Sequence, residues 1–214
     1  MPEELGKIEK PPAADFKKGR KLLFVPLIYR TEDAPEEYLA IFARYWQQVN
    51  GQISDLAAKL GEVKRVYHEL VAVAGDEGDK TVAGLNEASH NLVQACRQQK
   101  AQLEALEDAD ILSEFMDWSR CLLIGLQNPR VVTKVYEAYQ EAARKRTEHL
   151  AARIDKTLGA DEIGLLLMRE GHQVNFPPDI QLFYVAPPAL DELKRWLRER
   201  EQAEAPADDS APDG

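Results

Sequence analysis

Apolar residues recur along this chain in two rhythms, one suited to strands and one to helices, and their alternation predicts the elements. Residues 21–29, KLLFVPLIY, form a continuous apolar run of strand length. Pro26 has no N–H to give to a ladder, which predicts a strand edge, a strand end or a bulge there. Beyond Asp33 and Pro35, which suit a cap and a first helical turn, Tyr38, Phe42, Tyr45, Val49, Leu56 and Leu60 fall at helical spacing. Gly61 suits the end of that helix, because glycine enters the left-handed region at little cost. Residues 62–73, EVKRVYHELVAV, read as a second strand through Val63, Val66, Tyr67 and Val71, and AGDEGD at 74–79 reads as a loop.

From residue 80 to 158 the pattern predicts three helical segments. The first carries Leu85, Leu92, Cys96 and Leu103. The second, ILSEFMDWSRCLLIGL at 111–126, is apolar on almost every side: Phe115, Trp118 and Leu122 share one face, Leu112, Met116 and Leu123 another. A helix that is hydrophobic all round is expected to be buried, so Trp118 and Phe115 are expected to be nearly inaccessible. The third begins at Asn128-Pro129 and continues through Val132, Val135, Tyr136, Tyr139, Ala143, Leu150 and Ile154. Glu137, Glu141, Arg144, Lys145, Arg146 and Glu148 mark its solvated face. Residues 163–171 then read as a strand or short helix and 180–187 as a strand. Pro187-Pro188 opens a last helix with Leu190, Leu193, Trp196 and Leu197 inward.

This order predicts a mixed α/β (α+β) fold: a small mixed sheet of about four strands, with a three-helix insertion at 80–158 packed against it. The strands 163–170 and 180–186, sequential in the chain, are expected to pair. A single domain over 21–201 is expected between flexible tails at 1–20 and 202–214, the latter rich in Ala, Pro, Asp and Ser.

Charge narrows the functional classes. The 214 residues carry a formal net charge of -10, which counts against a nucleic-acid or anionic-membrane surface, since phosphate binding draws on clustered Lys and Arg. No apolar h-region opens the chain and no run approaches the ~20 residues that span a bilayer. Two cysteines, Cys96 and Cys121, read as reduced core thiols of a cytoplasmic protein.

Three constellations are candidates for chemistry. Glu87-x-x-His90 and Glu114-x-x-Asp117 each place two metal-ligand types on one helix face, the way bundles hold divalent transition metals, although a dinuclear site uses the Glu-x-x-His pair twice. His68 and Glu69 are adjacent in the second strand and so face opposite sides of the sheet. Asp117 and Arg120, spaced i, i+3 on the apolar helix, read as a structural charge network that offsets the cost of burial, with Arg130 or Arg144 as further donors. Ser113 and Ser119 are expected to bond back to their own helix. Gly-rich phosphate loops, a nucleophile elbow and HExxH are absent from the sequence. The expectation is a non-catalytic cytosolic interaction or regulatory protein that meets a protein partner through its surface and needs no cofactor. The alternative is a metal-dependent hydrolase or other metal enzyme using Glu87, His90, Glu114 and Asp117.

Overall fold

Each apolar run of strand length becomes a strand of one parallel sheet. In the computed structural model, which describes residues 18–30 and 33–204, β1 spans Arg20–Pro26, β2 Val63–His68, β3 Gln102–Leu103, β4 Ile163–Met168 and β5 Ile180–Tyr184. They lie in the order β3-β2-β4-β1-β5, with every neighbouring pair parallel. The helices among the described residues are α1 (Glu36–Leu60), α2 (Gly75–Leu85), α3 (Glu87–Gln98), α4 (Ala109–Leu123), α5 (Pro129–Thr157) and α6 (Pro188–Glu204). The fold class is therefore α/β, as the pattern predicts. Of the two expected tails, residues 1–17 and 205–214 lie outside the described residues.

Parallel strands present side chains to both faces, and both faces are covered. Leu23 and Val25 of β1 with Leu165 and Leu167 of β4 meet α1, α3 and α6 on one side. Leu22, Phe24, Leu166 and Met168 meet Leu150 and Ile154 of α5, Leu158 just after it and the loop 169–179 on the other. Crowding in this second layer leaves room only for hydrogen at Gly164, where a Cβ would come within 2.9 Å of Leu22 Cδ1 and 3.0 Å of Tyr67 Cε2. Gly61 ends α1 at φ 125°, Asn128 caps α5 by accepting from the Arg130 N–H, and α6 opens at Pro188, all where the sequence placed them.

Several expectations are corrected. The sheet is parallel throughout, not mixed. β5 pairs with β1 and not with β4, because β4 and β5 run the same way and the loop 169–179 must return along one face, crossing β1 to reach the edge. Residues 74–79 are mostly the first turns of α2, not a loop. The segment 80–104 is not one helix: Asn86 breaks it and caps α3 through its side chain, which accepts from the Ser89 N–H, and Gln102–Leu103 form the edge strand β3. Asp33 gives α1 no side-chain cap; Pro35 stands at the N-cap position. Leu197 is exposed rather than inward. The largest correction concerns α4, whose fifteen residues include none that is buried.

Candidate functional site

In open parallel sheets ligands collect at the carboxyl ends of the strands, where successive connections leave toward opposite faces. Here the chain leaves β1 and β2 toward the α1/α3 face and leaves β4, which lies between them, toward the α5 face. The residues just past these three strands meet one another. Arg169, after β4, donates from Nε to Glu69 Oε1 at 3.0 Å, and Tyr29, after β1, donates to the same oxygen at 3.4 Å. Glu69, after β2, is only 2 % exposed. Burial raises its pKa, and the nearby Arg169 and Arg146 guanidiniums only partly oppose that rise.

The turn that follows Glu69 is strained. Leu70 has φ 67°, a left-handed conformation rare for a branched side chain. This turn aims the Leu70 N–H at Glu107 Oε1, 3.2 Å away. Glu107, which follows β3, is buried and takes a two-pronged hydrogen bond from Arg146 of α5, with Nε 3.0 Å from Oε2 and Nη2 on Oε1. Arg146, expected on the solvated face of its helix, is thus buried. Its guanidinium also lies 4.9 Å from the centre of the Phe115 ring. Burial works against its charge, yet the Glu107 carboxylate holds its pKa above the ordinary value.

Glu69, Arg146 and Arg169 line a cleft of about 640 Å³ between α5 and residues 169–175. Phe115, Tyr136, Tyr139 and His172 give it aromatic walls, and its charges are mixed: Arg144 pairs with Glu148, and Glu170 with Lys194. His68 points away from it, as strand alternation requires. It is fully buried on the α3 side, its Nδ1–H donating to the Glu69 carbonyl at 2.6 Å and its Nε2 3.0 Å from Ser89 Oγ. Burial pushes its pKa down to about 4.

The cleft is walled by a helical hairpin. α4 packs chiefly on α5, and the two project so that their joining tip lies uncovered. Gly125, at φ 72°, turns the chain there with open space around it. Leu123 is 84 % and Ile124 70 % exposed, and Val131, Val132 and Tyr136 in the first turns of α5 are also exposed. Phe115 and Trp118 are half-buried against the partner helix rather than enclosed.

The candidates from sequence fall in different places. His90 of α3 meets Asp79 at 3.3 Å. Glu114 of α4 lies 3.6 Å from Lys145, and Asp117 pairs with Arg120 at 2.9 Å as its spacing predicts. That pair is largely exposed, so it offsets no burial. Arg144 bonds to Glu141 and Glu148 instead. The structure does not bring Glu87 and His90 together with Glu114 and Asp117, and among the described residues no group of three or more His, Cys, Asp or Glu is placed to hold a metal. Cys96 is buried, with its thiol pKa pushed up to about 11, whereas Cys121 is half-buried on α4. Ser113 and Ser119 bond back to Asp110 and Phe115 carbonyls of their own helix.

Tyr29 and Arg169, which bond to Glu69, and the Glu107–Arg146 pair beside it escaped the sequence reading. Their one local signal is a charge directly after a buried apolar strand, as Glu69 follows β2 and Arg169 follows β4.

The fold and site together define an open parallel α/β domain with a polar network at its strand ends and a projecting helical hairpin. No protein-family model matches the chain, and neither a curated protein nor a solved structure is significantly similar to it. Among the described residues no helix is long and apolar enough to cross a membrane.

Proposed function

We propose that this is a cytosolic interaction protein that docks a protein partner through the tip and cleft side of the α4–α5 hairpin. One observation carries the reading: Leu123 and Ile124 stand almost fully exposed at the end of a helix that is apolar on nearly every side. Leaving such residues in water forgoes roughly 1.5–3 kcal/mol for each side chain that a partner would cover. The hairpin lacks the contacts to cover them itself, because α4 has only α5 as a major neighbour. The network below the hairpin supports the reading as a scaffold. Arg146 joins α5 to Glu107 at the sheet edge and to Phe115 of α4, so the hairpin is held at a fixed base. The free thiols Cys96 and Cys121 accord with a reducing compartment.

A photoreactive residue placed at Leu123 in cells is expected to yield discrete cross-linked adducts. The same group at Lys59, exposed at the end of α1, is expected to give none. Absence of a discrete adduct from position 123 overturns this function.

A further inference from the structure

Unpaired hydrogen-bond donors collect where the cleft meets the strand ends. Arg169 gives only its Nε to Glu69, and neither of its Nη groups has a partner among the described residues. Arg146 gives Nε and Nη2 to Glu107, which leaves Nη1 without a partner on a residue only 9 % exposed. Nδ1 of His172 accepts from the Val174 N–H at 3.3 Å, so the ring carries a proton on Nε2, and that N–H is unpaired too. All three side chains line the cleft. Both guanidiniums lie close enough to Glu69 and Tyr29 to act on each of them electrostatically.

The acids of the cleft are in the opposite condition. Glu69 Oε1 is held by Arg169 and Tyr29, Glu148 by Arg144, and Glu170 by Lys194 and Tyr184. The cleft thus offers N–H groups with no acceptor, while each of its carboxylates is already engaged. The group it lacks is an oxygen acceptor from outside.

We propose that the cleft is a binding site for a small planar carboxylate, its two oxygens forked by the Nη groups of Arg169 and reached by Nη1 of Arg146, with its ring against Tyr139. This goes beyond the docking function of the hairpin and needs nothing bound at its tip. The place is the one where open parallel sheets bind ligands, outside the carboxyl ends of strands whose connections leave toward opposite faces. Its volume of about 640 Å³ suits a small molecule. Tyr139 lies 5.6 Å from Phe115, and the Phe115 ring carries the Arg146 guanidinium at 4.9 Å, so an aromatic ring laid along Tyr139 sits next to that cation. The strained Leu70 turn helps to hold Glu107, which in turn fixes Arg146, and backbone strain of this kind gathers at ligand sites. Three arginines and three glutamates line the cleft, so its fixed charges balance. A singly charged carboxylate upsets that balance least. A phosphate brings a second negative charge toward Glu69, Glu148 and Glu170, and an uncharged amide offers the guanidiniums one oxygen in place of two.

Benzoate, with benzamide and phenyl phosphate as its uncharged and doubly charged counterparts, is titrated into the isotope-labelled full chain while amide NMR shifts are followed. Benzoate at millimolar concentration is expected to move the Ala143, Gly171 and Gln173 signals saturably and to leave those of α6 in place. Benzamide and phenyl phosphate are each expected to bind about tenfold more weakly. Arg169→Lys keeps a cation beside Glu69 but loses the fork, and is expected to weaken benzoate binding by about tenfold or more. Tyr139→Leu, which leaves both arginines in place, is expected to weaken it several-fold. Arg195→Lys, exposed on α6, is expected to leave it unchanged. No saturable shift at the cleft with benzoate overturns the proposal, as does benzamide binding as tightly as benzoate, or an affinity that either R169K or Y139L leaves at the wild-type value. Tighter binding of phenyl phosphate overturns the carboxylate in favour of a phosphate.

Discussion

Replacing Arg146 with methionine is expected to destabilise the fold by about 3–5 kcal/mol, the cost of removing one partner from a buried ion pair. The Glu107 side chain is 1 % exposed, and its two oxygens are held by Arg146 and by the Leu70 N–H. Without the guanidinium the carboxylate keeps one backbone donor and no countercharge, in a site water reaches poorly. Methionine preserves much of the apolar stem but not the contact with the Phe115 ring, so the base of α4 should also loosen. The double variant Glu107→Leu/Arg146→Met is expected to recover most of the loss, because it removes the stranded charge along with its partner. Urea unfolding of the three variants against the wild type measures both effects. A single-variant loss under ~0.5 kcal/mol, the range of ordinary surface changes, would show that the pair is solvated and that the hairpin has no fixed base.

Acid is expected to weaken the protein through His68. An unfolded histidine titrates near 6.5, while burial holds His68 down to about 4, with the Nδ1–H bond to the Glu69 carbonyl opposing only part of that shift. Between these values the unfolded chain binds the proton and the folded chain does not, so stability falls as pH drops from about 6.5 toward 4. The loss attributable to this residue reaches about 3 kcal/mol. Glu69 acts in the opposite sense: its raised pKa means that the folded state takes up a proton first, which relieves a buried charge as the pH falls. Comparing wild type with His68→Asn separates the two, because the asparagine amide can donate where Nδ1–H does but does not titrate. Stability curves of the two proteins should converge by about 3 kcal/mol on acidification. Parallel curves would mean that His68 takes up its proton as readily in the folded chain as in the unfolded one.

What the sequence made legible was local. The end of α1 at Gly61, the start of α5 at Asn128-Pro129 and that of α6 at Pro188 follow from backbone preferences that need no distant partner. The alternation that set His68 and Glu69 on opposite faces held for the same reason. The apolar surround of α4 predicts a buried helix, and none of its residues is buried, because periodicity does not say whether any neighbour covers the surface. In this chain α5 covers part and the tip stays bare. Arg146 looked solvated because it sits among Arg144, Lys145 and Glu148, yet a helix facing a sheet edge can bury one charge in a polar run when a carboxylate such as Glu107 waits there. The pairing of β5 with β1 was hidden by a loop that crosses a strand, a case where nearness in sequence misleads. The strand-end network was the least legible part. Glu69 lies 100 residues from Arg169 and 40 from Tyr29, and only the sheet order brings them together.

Docking through the apolar tip of the α4–α5 hairpin requires that the tip be bare in the isolated chain and covered when a partner is bound. Hydroxyl-radical footprinting of the purified, dilute protein and of the protein in cells tests this residue by residue. In dilute protein, Leu123 and Ile124 should be modified about as readily as the exposed Leu197 and far more than the buried Leu166. In cells, protection should appear at Leu123, Ile124 and Tyr136 and not at Leu197. If Leu123 and Ile124 are as inert as Leu166 in the dilute protein, the tip is packed within the chain's own core and cannot dock a partner.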